Sequence, residues 1–208
     1  MYGLRQTVAP ATSPVTTTEA KLHARLDVDT IDADIQMLID GATEQIEGLI
    51  DRQIVTATYR FTMPCWPPTL WLPLGRTQSV TSIKYYDPDN AQQTLDSALY
   101  RVDSNQEPAV ISSTTTFPIS YARSDAIEII YTVGYGTAAQ VPAGLKGAIL
   151  MLVTHRFEHR GDDSTTEMTG TKTSAAVPQN IFDLAARYEL GDEWTAYEGI
   201  ERTWSVTA

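Results

Sequence analysis

The sequence predicts an α+β fold: a small helical bundle, with two N-terminal and two C-terminal helices, into which an antiparallel β region is inserted. Two observations support this prediction. Apolar residues recur with a period near 3.6 in the outer parts of the chain, and they alternate with polar residues in its middle. The helices are expected at about 18–26, 32–52, 142–160 and 179–188, and the β insertion at about 53–136.

The second helix is the most clearly patterned element. Its apolar residues fall on one face and its acidic residues on the opposite face, as in a helix that covers a core. Burial of the apolar face would contribute on the order of 10 kcal/mol before the conformational entropy is subtracted. The apolar face comprises Ile35, Leu38, Ile39, Ala42, Ile46, Leu49 and Ile50, and the acidic face comprises Asp40, Glu44, Glu47 and Asp51.

The other helices carry weaker signals. Thr18 is expected to cap the first helix, with Glu19 in its first turn and with Leu22 and Leu26 facing inward. The third helix is entered through Val141-Pro142, where a missing N–H is tolerated. Its inward residues are Leu145, Ile149, Leu152, Val153 and Phe157, and those of the fourth helix are Ile181, Leu184, Ala185 and Tyr188.

The β region is predicted from alternating runs of apolar and polar residues. Residues 55–61 and 79–86 alternate, and Asp87-Pro88-Asp89-Asn90 closes the second run as a turn. A further clear strand is expected at 126–133, followed by Gly134 and Gly136. Weaker strands are expected at 99–102, 109–112 and 117–121.

The two ends of the chain differ from the folded domain expected at 17–190. Residues 1–16 contain Pro10 and Pro14 and are predicted to form an extended arm, and the Gly-, Ser- and Thr-rich residues 161–177 a loop. Residues 191–208 place large apolar side chains among acidic residues, which is typical of an interaction site. We interpret this segment as a partner-binding tail, with docking on its own subunit as the alternative; its aromatic and aliphatic residues are Trp194, Tyr197, Ile200 and Trp204.

Composition excludes several classes of function. With 42% apolar residues the chain can bury a core, and its net charge of -11 disfavours general binding to phosphates or to anionic membranes. Cys65 is the single cysteine, so no disulfide can form within the chain. We expect Cys65 to be a small, buried apolar residue. The first ten residues lack the apolar core of a signal peptide, and no apolar run is long enough to span a bilayer, which indicates synthesis in the cytosol.

Two motifs have ordinary structural explanations. Residues 132–136 match a potassium-channel filter, but a strand that runs into a glycine turn explains them without a membrane. Asp27, Asp29, Asp32 and Asp34 lack the glycine and glutamate of a calcium loop, and they are explained as carboxylates at a helix N-terminus.

His155 and His159 lie four residues apart on the third helix but have no evident third metal ligand, so favourable interaction with the helix C-terminus is the simpler interpretation. The chain contains no nucleophile elbow and no Gly-rich phosphate loop. We therefore predict neither catalytic residues nor a metal or other cofactor. Trp66 and Trp71, which lie among prolines, are interpreted either as a recognition surface or as a plug at one end of the sheet.

Four segments together carry a resemblance to a known family. They are the helix start Thr18–Leu22 with Leu26-Asp27, the long helix Asp34–Arg52, the strand and turn 131–136 followed by 141–150, and the helix end Phe157–Arg160. Their order and spacing over about 15–190 resemble those of the head–tail connector, or adaptor, proteins of tailed bacteriophages.

The resemblance implies a structural virion protein and not an enzyme. Such proteins form a ring, typically dodecameric, beneath the portal protein in the neck, after synthesis in the host cytoplasm. The ring extends the DNA conduit without binding the DNA specifically and supports the stopper or tail-completion proteins. The alternatives are another head-completion protein, a stopper or tail terminator, or a cytosolic binding module unrelated to virions. Both a phage and a gene transfer agent are compatible with the sequence.

Overall fold

A computed structural model describes residues 2–26, 31–159 and 177–191. The chain divides into two compact units. Within the described residues, the β unit is drawn from 2–11, 51–136 and 190–191, and the helical unit from 12–26, 31–50, 137–159 and 177–189. Two helices precede the β region and two follow it, so the predicted α+β fold with an inserted antiparallel β region is confirmed.

The described part of the β unit forms two antiparallel sheets. The larger sheet has five strands in the order β1-β2-β8-β4-β5, and the smaller sheet has three in the order β3-β7-β6. The strands are β1 Gly3–Val8, β2 Ala57–Met63, β3 Leu70–Trp71, β4 Thr77–Tyr86, β5 Gln92–Thr94, β6 Tyr100–Asp103, β7 Val110–Ser113 and β8 Ile127–Val133.

Strand β8 lies at the centre of the larger sheet and pairs with both β2 and β4. Its alternate residues are buried in the core of the β unit, as are those of β2. Tyr131, which is fully buried, donates a hydrogen bond of 3.1 Å from its hydroxyl to the carbonyl oxygen of Pro73. Burial raises the pKa of Tyr131 well above its ordinary value, so the hydroxyl stays protonated and remains a donor.

The helices described in the helical unit are α1 Thr17–His23, α2 Asp32–Ile50, α3 Ala143–Glu158 and α4 Gln179–Ala186. Helix α2 packs against the other three helices. Its buried residues follow the helical period, and those of α3 form a similar stripe. They are Ile35, Ile39, Ala42, Ile46 and Ile50 in α2, and Leu145, Ala148, Ile149, Leu152 and Val153 in α3. The prediction for Leu49 is wrong, because this residue of α2 is 39% exposed.

Two predictions about α1 are wrong. The helix is capped by Thr16 instead of Thr18, because Thr16 and Glu19 form a capping box in which each side chain satisfies the backbone N–H of the other residue. Leu22 is 79% exposed instead of inward-facing. It lies two residues after the buried Ala20, and residues so spaced point to opposite sides of a helix.

Two predictions about the β region are also wrong. Cys65 is exposed, because it lies in the proline-rich connection from β2 to β3 and outside the alternation that buries Met63. Residues 117–121 form no strand. Pro118 cannot donate a backbone hydrogen bond, and the segment is attached through Tyr121, whose N–H donates to the carbonyl of Tyr86 at 2.8 Å.

The N-terminal segment that was expected to be an extended arm contributes β1, which pairs with β2 at the edge of the larger sheet. At the end of β8, Gly134 and Gly136 adopt φ angles of 126° and 123°. Only glycine enters this region without strain, which confirms the interpretation of residues 132–136 as a strand that runs into a glycine turn.

The Gly134 turn should not tolerate a side chain. A Cβ atom at this position would lie 2.9 Å from backbone atoms of Val55 and Thr56. We expect Gly134→Ala to lower the free energy of unfolding by about 1–3 kcal/mol through backbone strain. In the matched variant Gly48→Ala the new methyl group meets no atom within 4 Å. That variant should gain up to about 1 kcal/mol. Urea denaturation of both variants checks this prediction, and equal stabilities would contradict it.

The capping box should make stability depend on pH through Glu19. Thr16 donates hydrogen bonds to the Glu19 carboxylate, first from its backbone N–H and second from its hydroxyl, and these lower the pKa of Glu19 below its ordinary value of 4.5. A carboxylate with a lowered pKa stabilises the folded state above the unfolded-state pKa, and this contribution is lost as the pH falls through the folded-state pKa.

The wild type should therefore be more stable than Glu19→Gln at pH 7, and this difference should shrink as the pH falls below about 4.5. Thermal or urea denaturation between pH 7 and pH 3 measures it. As a comparison, Thr16→Ala removes the cap itself and should lower stability by about 1 kcal/mol at neutral pH. A Glu19→Gln difference that stays constant over this range would show that the carboxylate charge is not involved.

Candidate interaction surfaces

The described residues contain no group of three or more His, Cys, Asp or Glu side chains that could hold a metal ion. The rings of His155 and His159 lie 4.4 Å apart, and Nδ1 of His159 lies 2.8 Å from the carbonyl oxygen of His155. His23 is hydrogen-bonded to Thr154 instead, at 3.0 Å. Asp27 and Asp29, two of the carboxylates considered as calcium ligands, lie outside the described residues.

The sequence also predicts an interaction site in the C-terminal tail. Its residues Trp194, Tyr197, Ile200 and Trp204 lie outside the described residues, so their role stays a prediction. The loop expected at 161–177 also lies almost entirely outside them. Leu190, which lies just before the C-terminal tail, is only 2% exposed and belongs to the β unit. Of the helices that the structure describes, none is long and apolar enough to cross a membrane.

Trp66 forms part of an aromatic cluster instead of a displayed recognition surface. Its ring stacks on Phe117, with centroids 4.3 Å apart and planes 2° from parallel, and it lies 6.2 Å from the ring of Tyr85. All three side chains are partly buried against the core of the β unit. This arrangement agrees with the interpretation of Trp66 as a plug. Trp71 is half-buried in β3, where it pairs with Val110.

The segment 117–123, here called the 117–123 loop, is fixed near both ends and exposed between them. Phe117 is held by Trp66, and the guanidinium of Arg123 lies 3.7 Å from the centre of the Tyr86 ring. Between these contacts, Ile119 is 78% exposed and Tyr121 is 42% exposed. A well-anchored loop that displays two large apolar side chains is suited to contact another protein.

The anchor at Arg123 is a bidentate ion pair. Its Nε and Nη2 atoms donate to the two carboxylate oxygens of Asp125 at 2.6 and 2.9 Å. The hydrogen bonds from Arg123 lower the pKa of Asp125, and those to Asp125 raise the pKa of Arg123. Both groups therefore remain charged at neutral pH, which keeps this end of the 117–123 loop in place.

The larger sheet has a second, charged face, here called the charged sheet face. Strands β1, β2, β8 and β4 each carry one charged residue. The pairing places these residues on the same side of the sheet, opposite to the core. Arg60 Nε lies 2.6 Å from Glu128 Oε2. The four residues are Arg5, Arg60, Glu128 and Lys84, so positive charge exceeds negative charge on this face.

Helix α2 carries the opposite charge. Its 19 residues include five carboxylates and no Lys or Arg. Asp32 pairs with Lys21 at 2.8 Å, whereas Asp40 and Glu44 are exposed farther along the helix. Asp40, Glu44 and Glu47 are here called the acidic face of α2; Asp51, which the sequence also placed on this face, lies one residue beyond the end of the helix. This face was predicted from the sequence, whereas the charged sheet face was missed because it depends on which strands are neighbours.

The charged sheet face, the acidic face of α2 and the 117–123 loop are surfaces suited to contact with other proteins. The head completion protein family matches residues 15–188. Among curated protein sequences, none matches this chain.

Several solved structures share the fold. The neck of an empty gene transfer agent (GTA) particle, computed with C6 symmetry, contains a chain that is similar with a TM-score of 0.74 and 19% identity, over 90% of this chain and 95% of that chain. A chain from the virion of a native gene transfer agent particle gives 0.70 and 20%, over 90% and 95%. One from a native GTA neck with C12 symmetry gives 0.63 and 18%, over 89% and 96%. Since the family match spans both units, the chain belongs to the head completion protein family.

Proposed function

We propose that this chain is a structural protein of the particle neck, where it joins the head of a tailed phage or a gene transfer agent to the tail. The observation that carries the proposal is the match to head completion proteins over residues 15–188, which includes all four helices and the strands from β2 to β8. Similarity to chains from neck structures supports the same location.

In this proposal the chain forms a ring, most simply a dodecamer, on the portal protein. Similar chains come from necks computed with C6 and C12 symmetry, which supports a rotationally symmetric arrangement. A cyclic ring requires two different surfaces on each subunit, because each subunit contacts the next one head to tail. The net charge of -11 would allow DNA to pass through the lumen without adhering to its wall.

The partners are the portal protein on the head side and a stopper or tail-completion protein on the tail side. We assign the portal contact to the C-terminal tail with Trp194, Tyr197, Ile200 and Trp204, since aromatic side chains often dominate binding energy. The tail-side contact is assigned to loops of the β region or to residues 161–177. Among the described loops, the 117–123 loop suits this contact because it exposes Ile119 and Tyr121.

A structural role, and not an enzymatic one, follows from this assignment. The nearest alternatives are another head-completion protein, namely a stopper or tail terminator, or a binding module outside the virion. The adaptor assignment is favoured because helices both precede and follow the β region, as the order of elements in the chain shows.

Binding to the cognate portal tests the proposal. The full chain should bind purified portal assemblies at a fixed stoichiometry, measured by sedimentation and quantitative gel analysis. Deleting residues 192–208 should weaken binding by about thirtyfold or more, the effect of losing one strong aromatic anchor. The deletion retains Leu190, which is buried, so the fold should be preserved. Circular dichroism checks that it is.

A matched pair of tail variants separates the aromatic residues from the acidic ones. Trp194→Ala/Trp204→Ala should reproduce most of the loss, whereas Glu198→Gln/Glu201→Gln should retain most of the affinity. If the truncated chain binds the portal with full affinity, the tail is not the anchor, although the neck location could still hold. If the full chain does not bind the portal at all, the neck assignment itself is wrong.

A further inference from the structure

We propose that neighbouring copies of this chain contact each other through opposite charges, with the charged sheet face of one copy against the acidic face of α2 of the next. The inference rests on the ring proposed above and names the two surfaces that would close it. The occupant of the charged sheet face is therefore a second copy of the same chain.

The first surface owes its charge to the register of the larger sheet. Arg5 is directly opposite Arg60, and Lys84 is directly opposite Glu128. Residues opposite each other in an antiparallel pair lie on the same face. Ile130 is opposite both Arg60 and Ser82, so an apolar side chain lies in the middle of this face.

Most of the positive charge on the charged sheet face is available to a partner. Arg60 is 41% exposed although it pairs with Glu128, which is 15% exposed. Arg5 is exposed and Lys84 is half-buried, and within the described ranges neither has an ion-pair partner. The face therefore holds two cations beyond the Arg60–Glu128 pair, in a protein whose net charge is -11.

The second surface also combines charged side chains with an apolar one, but its charge is negative. Met37, Asp40 and Glu44 follow one another at spacings of three and four, which places them on one face of α2. Met37 is 68% exposed. Glu44 is exposed and, in the part of the chain that the structure describes, has no ion-pair partner.

The dimensions of the two surfaces agree. The acidic face from Asp40 to Glu47 extends about 10 Å along the helix, at about 1.5 Å per residue. The row from Arg5 to Lys84 crosses three strand spacings, or about 14 Å. Ile130 and Met37 provide the apolar centre that the middle of a protein interface requires.

The signs also select a head-to-tail contact. Two charged sheet faces would repel each other, and so would two acidic faces of α2, which disfavours a symmetric dimer through either surface. Opposite charges on different surfaces favour the heterologous contact that generates a ring. DNA is a weaker candidate for the charged sheet face, because Glu128 lies within it and phosphates would be repelled there.

Charge reversal on each surface tests the inference. The sheet variant is Arg5→Glu/Lys84→Glu, which retains the Arg60–Glu128 pair, and the helix variant is Asp40→Lys/Glu44→Lys. Assembly is measured by sedimentation and negative-stain electron microscopy at low salt, with the portal present as a template. Each variant alone should reduce the assembled fraction by about tenfold or more, because like charges then meet at every contact.

Mixing the two variants tests whether the two surfaces contact each other. In a mixed ring that alternates the two variants, every contact again joins opposite charges, so the mixture should assemble as the wild type does. A single chain that carries all four reversals should also assemble. The control Arg76→Glu/Arg101→Glu reverses two exposed arginines of the β unit outside the charged sheet face and should leave assembly unchanged.

The outcomes separate this inference from the proposed function. If the wild type forms rings and both variants do so equally well, the surfaces are wrong and the ring proposal stands. If the wild type forms no ring on the portal, the proposed function fails first. A third outcome would overturn the inference. In this outcome only the sheet variant is defective, mixing does not rescue it, and its assembly no longer retains double-stranded DNA. The charged sheet face would then contact DNA.

Discussion

The burial of alternate residues along β8 is the constraint on which the β unit depends. The strand pairs on both sides, so its inward residues, among them Ile129 and Tyr131, fix the register of β2 and β4. A slip of one residue would move every buried side chain to the opposite face. The same register places Arg60, Glu128 and Lys84 side by side on the other face. The packing of the core therefore determines the pattern of charge that a partner meets.

In the helical unit, too, burial of the core determines which charges face outward, but with the period of a helix instead of a strand. Burial of one stripe of α2 against the other helices leaves its carboxylates on the side away from the core. The net charge does not reveal how charge is distributed between surfaces, because a chain with a charge of -11 still presents a sheet face on which cations exceed anions. Composition disfavours some classes of partner for the protein as a whole, whereas strand pairing and helical period determine the sign of the charge on each surface.

The sequence predicted what depends on local periodicity. The buried stripe of α2, the strand β8 and the turn at Gly134 each follow from short-range patterns. It was wrong at Thr18, Leu22 and Cys65, where one or two residues of offset decide the outcome. The Thr16–Glu19 capping box was nevertheless visible as a Thr followed three residues later by Glu. The charged sheet face could not be predicted, because it joins residues from four strands whose order depends on tertiary structure.

The family assignment and the two charged surfaces both lead to the proposal that this chain assembles on the portal. Electron microscopy of this chain mixed with its purified cognate portal would reveal this assembly. We expect an additional ring of density, coaxial with the portal, in which both units of each subunit can be fitted. Portal particles without added density, together with a chain that remains monomeric, would contradict it and would point to a stopper, a tail-side protein or a binding module outside the virion.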